Sequence, residues 1–451
     1  MGTERKLVKN ARIVNEGDIF PGSVLIEGKW IAQIIKEPEP GLSPNEFEWI
    51  IDAENSYLLP GVIDDQVHFR EPGLTEKGDI LSESRAAVAG GITSFMEMPN
   101  TQPQTTTVEL LAEKFLLGAQ NSMANYSFYM GATNDNLDEI LKNDIRKICG
   151  VKVFMGSSTG NMLVDDPDTL DKLFAHCPTL IATHCEDENT IRANMEQYTS
   201  ELGDKILPSH HPYIRNHLAC LLSSQKATSL AKKHNTRLHI LHISTAVETA
   251  LFETNVPLSE KRITAEACVH HLWFNSSHYQ EKGNLIKWNP AIKNQADQQA
   301  IWSSLLKGGI DVVATDHAPH LYEDKLKPYL QSPSGGPLVQ HSLQAMYDSV
   351  VKQDMPVHYL SKWMAHNPAN CFKVSNRGFI RTGYAADLVI LNPRKPYTVN
   401  KDNILYKCGW SPFEGHTFLS TPTHTIINGR IVHENGAFDQ NYRGESLTFD
   451  R

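Results

Sequence analysis

Pro60-Gly-Val-Ile-Asp-Asp-Gln-Val-His-Phe-Arg70 is an apolar run that stops at a polar cluster, and the same pattern recurs seven more times along the chain. The later runs end at Met98-Pro-Asn100, Met130-Gly-Ala132, Lys152-Val-Phe-Met155, Thr183-His-Cys185, Leu241-His-Ile-Ser244, Glu266-Ala-Cys268 and Ala314-Thr-Asp-His317. Amphipathic helical stretches separate most of them, which is the alternation of a parallel sheet. Eight such units predict a closed (β/α)8 barrel, and a barrel places its chemistry at the carboxyl ends of its strands. The polar clusters therefore mark the expected site.

Outward from the barrel, both chain ends read as β structure. Leu7-Val-Lys-Asn-Ala-Arg-Ile-Val14, Gly22-Ser-Val-Leu-Ile-Glu-Gly28 and Trp30-Ile-Ala-Gln-Ile-Ile35 lie near the start, and Ala386-Asp-Leu-Val-Ile-Leu391 and Thr425-Ile-Ile-Asn-Gly-Arg-Ile-Val432 near the end. Short β-rich runs between turn residues predict hairpins. The expected organisation is residues 1–58 and 375–451 forming one small β-sandwich and residues 59–374 forming the barrel. A chain of 451 residues is long enough for both units.

Composition narrows the function classes. Hydrophobic residues make up 40% and charged residues 21%, as in a globular protein. A net charge of -10 opposes nucleic-acid binding, which needs a basic face. No apolar stretch approaches the roughly eighteen residues of a membrane span, and Met1 to Asn10 carries no apolar leader. The seven cysteines are scattered without a CxxC, which suits a reducing compartment. Cytoplasmic residence, a small-molecule partner and room for a homo-oligomer are the expectations.

Five residues on separate strand ends could meet around a metal: His68, Lys152, His184, His242 and Asp316. Histidine nitrogen and carboxylate oxygen suit zinc or a similar divalent ion. Any one of these histidines alone reads as a surface or core residue, and Asp316 alone as a turn carboxylate; their joint placement at run ends is what carries the metal reading. A lysine inside a packed barrel must be neutral or paired. As a neutral amine Lys152 can add carbon dioxide, whereas as an ordinary lysine it would snorkel to solvent. Asp316 could both bind metal and accept a proton from water. Spacing does not decide between His317 and His320.

Pro60 to Gly73, Glu97-Met-Pro-Asn-Thr101, the Lys152 segment and Thr315-Asp-His-Ala-Pro-His320 together resemble the dihydroorotase branch of the amidohydrolase superfamily, over nearly the whole chain. The resemblance implies a zinc-dependent enzyme of pyrimidine biosynthesis that interconverts N-carbamoyl-L-aspartate and L-dihydroorotate. It implies that Lys152 is carboxylated and bridges two zinc ions, with His184 and His242 completing one site and His68 and Asp316 the other. Asp316 would shuttle the proton. Arg70, Asn100 and His320 would bind the ring carboxylate, and Asn289 the ring. The segment Ser332-Pro-Ser-Gly-Gly-Pro337 reads as a lid or a spacer.

One position departs from the pattern. The family carries His-x-His after the first strand, and this chain has Gln66-Val-His68. An amide oxygen is a poorer zinc ligand than imidazole, so one firmly held zinc and a weaker second are expected. Two other readings remain open: a hydantoinase, dihydropyrimidinase or allantoinase type of cyclic amidase, and a noncatalytic scaffold of the same fold.

Overall fold

The computed structural model describes residues 5–36, 46–156 and 162–451. Eight parallel strands form the barrel: Val62–Val67, Ile92–Glu97, Asn125–Phe128 continued by Met130–Gly131, Val151–Phe154, Ile181–His184, Leu238–Ile240, Ile263–Cys268 and Val312–Ala314. Their order around the barrel follows the chain. The ring closes where Val67 pairs with His317 and the His68 N–H donates to His317 O at 2.7 Å. All eight expected runs are strands of one barrel.

The intervening helices start where the sequence supplies caps. Asp79, Thr107, Asp166, Asp187, Asn216 and Asn294 each accept a backbone N–H from the first turn, which satisfies a donor that the helix leaves unpaired. Apolar helix faces then cover the strands. Phe115 of the helix Val108–Asn121 meets Phe128 of the third strand edge-on at 5.0 Å, while Phe69, just beyond the first strand, and Phe95 of the second pack at 4.5 Å between ring centroids. Rings buried in this way supply much of the stability, at about 1.5–3 kcal/mol per large apolar side chain. After the sixth strand the chain makes two 3-10 turns, Glu248–Leu251 and Leu258–Glu260, in place of a full helix.

The two chain ends share one nine-stranded sheet. Arg5–Asn15 pairs in parallel with Tyr57–Pro60, which pairs antiparallel with Leu388–Asn392, and Thr421–Ile427 extends the sheet beyond it. Trp30–Lys36 lies at the far edge, yet Trp30 bridges back to Ala385, so the sheet curls over a core containing Val8, Ile13, Ile26, Leu388 and Ile426. This is the β-sandwich expected from the termini. Not all of residues 375–451 stay in it. Trp410 reaches the barrel mouth, where its Nε1 donates to His320 O at 2.8 Å, and Arg451 donates to Phe372 O at 2.9 Å and Ile148 O at 3.2 Å.

All seven cysteines are free, and no helix among the described residues is long and apolar enough to cross a membrane. Residues 1–4, part of the amino-terminal reading, lie outside the described residues.

Candidate active site at the barrel mouth

A cavity of about 360 Å³ opens at the carboxyl ends of the strands. Its lining includes His68, Lys152, His184, His242 and Asp316, and with them Arg70, Asn100, Asn289, His320 and Gln66. Every residue singled out as a candidate ligand or substrate contact thus faces one space. His184 ends the fifth strand and Lys152 lies within the fourth, while His68, His242 and Asp316 sit one or two residues beyond theirs.

The backbone is strained at three of these positions. Arg70, His242 and Asp316 adopt positive φ values of 74°, 40° and 46°. Side chains rarely sit in this region, and such residues persist where surrounding bonds over-determine them. For His242 the N–H donates to Glu266 Oε1 at 3.0 Å; for Asp316 the carbonyl accepts from Trp288 Nε1 at 3.3 Å.

Two imidazole systems flank Lys152. The Nε2 of His184 lies 2.9 Å from Glu186 Oε2, and Arg215 pairs with the same carboxylate. Burial alone would raise the Glu186 carboxyl, but the Arg215 guanidinium and His184 hold it well below the usual range. A carboxylate takes the ring proton at Nε2, so the Nδ1 lone pair is turned towards His242 Nε2, 3.0 Å away. Burial holds both rings neutral.

On the other side, His68 Nδ1 lies 2.7 Å from Asn100 Oδ1 and Nε2 lies 3.2 Å from Asp316 Oδ1. Burial lowers the pKa of His68 against the pull of Asp316, which leaves one ring proton for two acceptors. With the Asn100 oxygen turned to Nδ1, lone pair faces lone pair at one of these contacts, which either a turned amide or a cation beside Asp316 relieves. This arrangement fits a divalent ion between His68 and Asp316.

Lys152 is 1% exposed, and burial pushes its ammonium down to about 8 despite Asp316 and Glu266 nearby. Its Nζ lies 4.6 Å from the Phe154 ring centroid, so it does not snorkel outward. Gln66 donates from Nε2 to Asp316 Oδ1 at 3.1 Å and accepts from Cys268 Sγ at 3.6 Å. The amide nitrogen, not the oxygen, meets the carboxylate.

Arg70 is buried without an ion pair among the described residues. It does not pair with the adjacent Glu71, whose carboxylate accepts from the Ile80 N–H and from Asn121 Nδ2. Arg70 Nε donates to Pro319 O at 3.1 Å and Nη2 lies 3.2 Å from His320 Nε2. That nitrogen also lies 3.0 Å from Ser334 O, an acceptor that claims its proton. An Nε2–H cannot accept from arginine, so the Nη2 donor is left for an anion. Burial draws the guanidinium down only to about 10, so it stays charged at neutral pH.

The geometry separates His317 from His320. His317 points into the wall, with Nε2 at 2.8 Å from Glu83 and Nδ1 accepting the Leu338 N–H at 2.9 Å, whereas His320 lines the cavity. Glu186, Arg215 and Trp288 were not anticipated as supports of the site; the spacing His184-Cys-Glu186 was the available signal for the first. A further cluster, Asp65, His239 and Glu266, brings three ligand atoms within 4.8 Å of one another in the buried interior, outside the cavity lining.

A sequence model described as the amidohydrolase family matches residues 57–432. A protein named dihydroorotase from Methanosarcina acetivorans is 30% identical over 437 residues, covering 94% of this chain and 91% of that one. One named allantoinase from Bacillus velezensis is 30% identical over 443 residues, covering 96% and 95%. The solved L-hydantoinase of Arthrobacter aurescens superposes with a TM-score of 0.90 at 26% identity, covering 97% of each chain.

Proposed function

This chain belongs to the amidohydrolase family and is a cyclic amide hydrolase, and on that premise we propose that it is a dihydroorotase of pyrimidine biosynthesis, interconverting L-dihydroorotate and N-carbamoyl-L-aspartate. The observation that carries this reading is Arg70, a buried guanidinium in the cavity wall whose Nη2 faces an imidazole N–H where a carboxylate would fit. Hydantoin and allantoin offer no such carboxylate. Guanidinium and carboxylate match in a bidentate fork, which favours a ring that carries one. Asn100 and His320 complete the carboxylate pocket, and Asn289 meets the ring.

Zinc is the proposed metal, held by His184, His242, His68, Asp316 and Lys152, with Lys152 carboxylated. The ion would polarise the ring carbonyl and acidify water. The residues of the chain supply the rest. Asp316 takes a proton from the attacking water on its carboxylate as the water oxygen bonds to the ring carbonyl carbon. It returns that proton to the ring nitrogen as the C–N bond breaks, and ring closure reverses both transfers. The strained backbone of Asp316 and the Trp288 bond hold this carboxylate in place. Burial depresses the Lys152 pKa and so raises the fraction of the neutral amine that addition of carbon dioxide requires.

Turnover of L-dihydroorotate by the purified protein, with metal content measured on the same sample, tests the proposal. Ring opening with bound zinc is expected; a metal-loaded protein that leaves dihydroorotate intact rules the reading out.

A further inference from the structure

Residues 332–337 were read as a lid or a spacer, and the structure gives them a third character. Lys325 is 1% exposed, and its ammonium donates to Gly335 O at 2.7 Å, Pro333 O at 2.9 Å and Lys287 O at 3.3 Å. Lys287 donates to Ser332 O at 2.6 Å and Tyr329 O at 2.7 Å. The charges acting on these two ammoniums are cations: Arg215 on Lys287, and Lys287 and Arg70 on Lys325. A buried ammonium among cations is unfavourable unless its donors are satisfied. Here backbone carbonyls satisfy the donors, with the Tyr329 ring centroid 4.1 Å from the Lys287 ammonium as well, and each carbonyl is fixed in return.

The segment is also pressed tightly onto the site. A Cβ at Gly335 would lie 2.5 Å from Ala318 O, and one at Gly336 would lie 2.6 Å from the Trp288 ring. Ser334, between the two clamped carbonyls, is the residue whose own carbonyl takes the His320 proton. Any loosening of residues 333–335 therefore frees His320 and lets its Nε2 accept from Arg70.

We propose that Lys325 and Lys287 are positioning residues that clamp residues 329–335 into a fixed wall, and through Ser334 and His320 keep the Arg70 donor open for a substrate carboxylate. Neither lysine touches substrate. The inference rests on the reading of Arg70 and His320 as a carboxylate pocket.

Hydrogen exchange of residues 329–336 and steady-state kinetics on L-dihydroorotate and hydantoin, compared for the unaltered protein, Lys325→Met and Lys325→Arg, test it. For Lys325→Met, exchange in the segment should quicken by about a hundredfold relative to the barrel strands. KM for dihydroorotate should rise roughly tenfold with kcat changed less than about threefold, hydantoin kinetics should hold, and arginine should restore part of both effects. A folded Lys325→Met protein with unchanged exchange overturns the clamp, and an equal rise in KM for both substrates overturns the link to the carboxylate. Should that variant not fold, Lys287→Met removes the two bonds to Tyr329 and Ser332 and is read in the same way. If the unaltered protein does not open dihydroorotate, the functional reading fails by itself, and exchange still decides whether the clamp exists.

Discussion

Replacing Arg70 by methionine removes a charge and keeps most of the stem that packs in the wall. In the free protein Arg70 donates to Pro319 O and otherwise keeps its guanidinium for the cavity, with no carboxylate partner to strand when it is lost. The change should therefore cost little stability and act on binding. A charge-assisted hydrogen bond contributes about 1.5–3 kcal/mol. At about 1.4 kcal/mol per factor of ten, that is roughly a 10- to 150-fold loss in kcat/KM for dihydroorotate. Hydantoin, which lacks the carboxylate, should lose less than about threefold. Arg70→Lys should fall between, because a point charge replaces the planar fork. The assay is kcat/KM on both substrates with matched metal content and an unfolding midpoint for each protein. An equal loss on the two substrates, in a protein that unfolds normally, would refute Arg70 as the residue that selects the carboxylate.

Three further outcomes follow from the site. Asp316→Asn should keep the fold, since asparagine tolerates the left-handed backbone seen there, yet lose most turnover because an amide accepts no proton; near-normal turnover in the folded variant would remove Asp316 from that role. Gln66→His should raise retention of a second zinc, because the imidazole replaces an amide that now spends itself on Asp316 and Cys268; zinc content after exhaustive dialysis reads this, and two equally tight ions in both proteins would contradict it. Lys114→Met should destabilise the fold by about 3–5 kcal/mol by leaving Glu97 buried without its cation, and Glu97→Gln added to it should recover most of the loss. Burial has already raised the Glu97 carboxyl to about 7 against the pull of Lys114. The folded state thus binds the proton more tightly than the unfolded chain, and this group loses stability as pH rises from the unfolded value towards about 7. Without Lys114 that decline should extend to higher pH, which denaturant melts at a series of pH values would show.

The barrel was legible because each strand announces itself twice, as an apolar run and as the polar cluster that ends it. The clusters named His68, Lys152, His184, His242 and Asp316 without any knowledge of which strands are neighbours, and the closed ring brings them to one cavity. The terminal sheet was legible from its turn residues, but the excursion of Trp410 to the barrel mouth was not, since a single indole bonding His320 O leaves no periodic trace. Supports of the site were hidden for the same reason. Arg215 lies 29 residues from Glu186, and Gln66 lies 250 residues from Asp316. Local pattern cannot register such pairs. Nor does sequence show whether Arg70 pairs with its neighbour: the Glu71 carboxylate turns instead to the Ile80 N–H and Asn121 Nδ2.

The most direct measurement of the central claim is the ratio of kcat/KM for L-dihydroorotate to that for allantoin and hydantoin, taken on one metal-characterised preparation. The buried, carboxylate-free Arg70 should make dihydroorotate the preferred substrate by at least the roughly tenfold lower bound of one charge-assisted contact. Preference for allantoin or hydantoin over dihydroorotate would contradict the account, leaving the chain a cyclic amide hydrolase of another specificity.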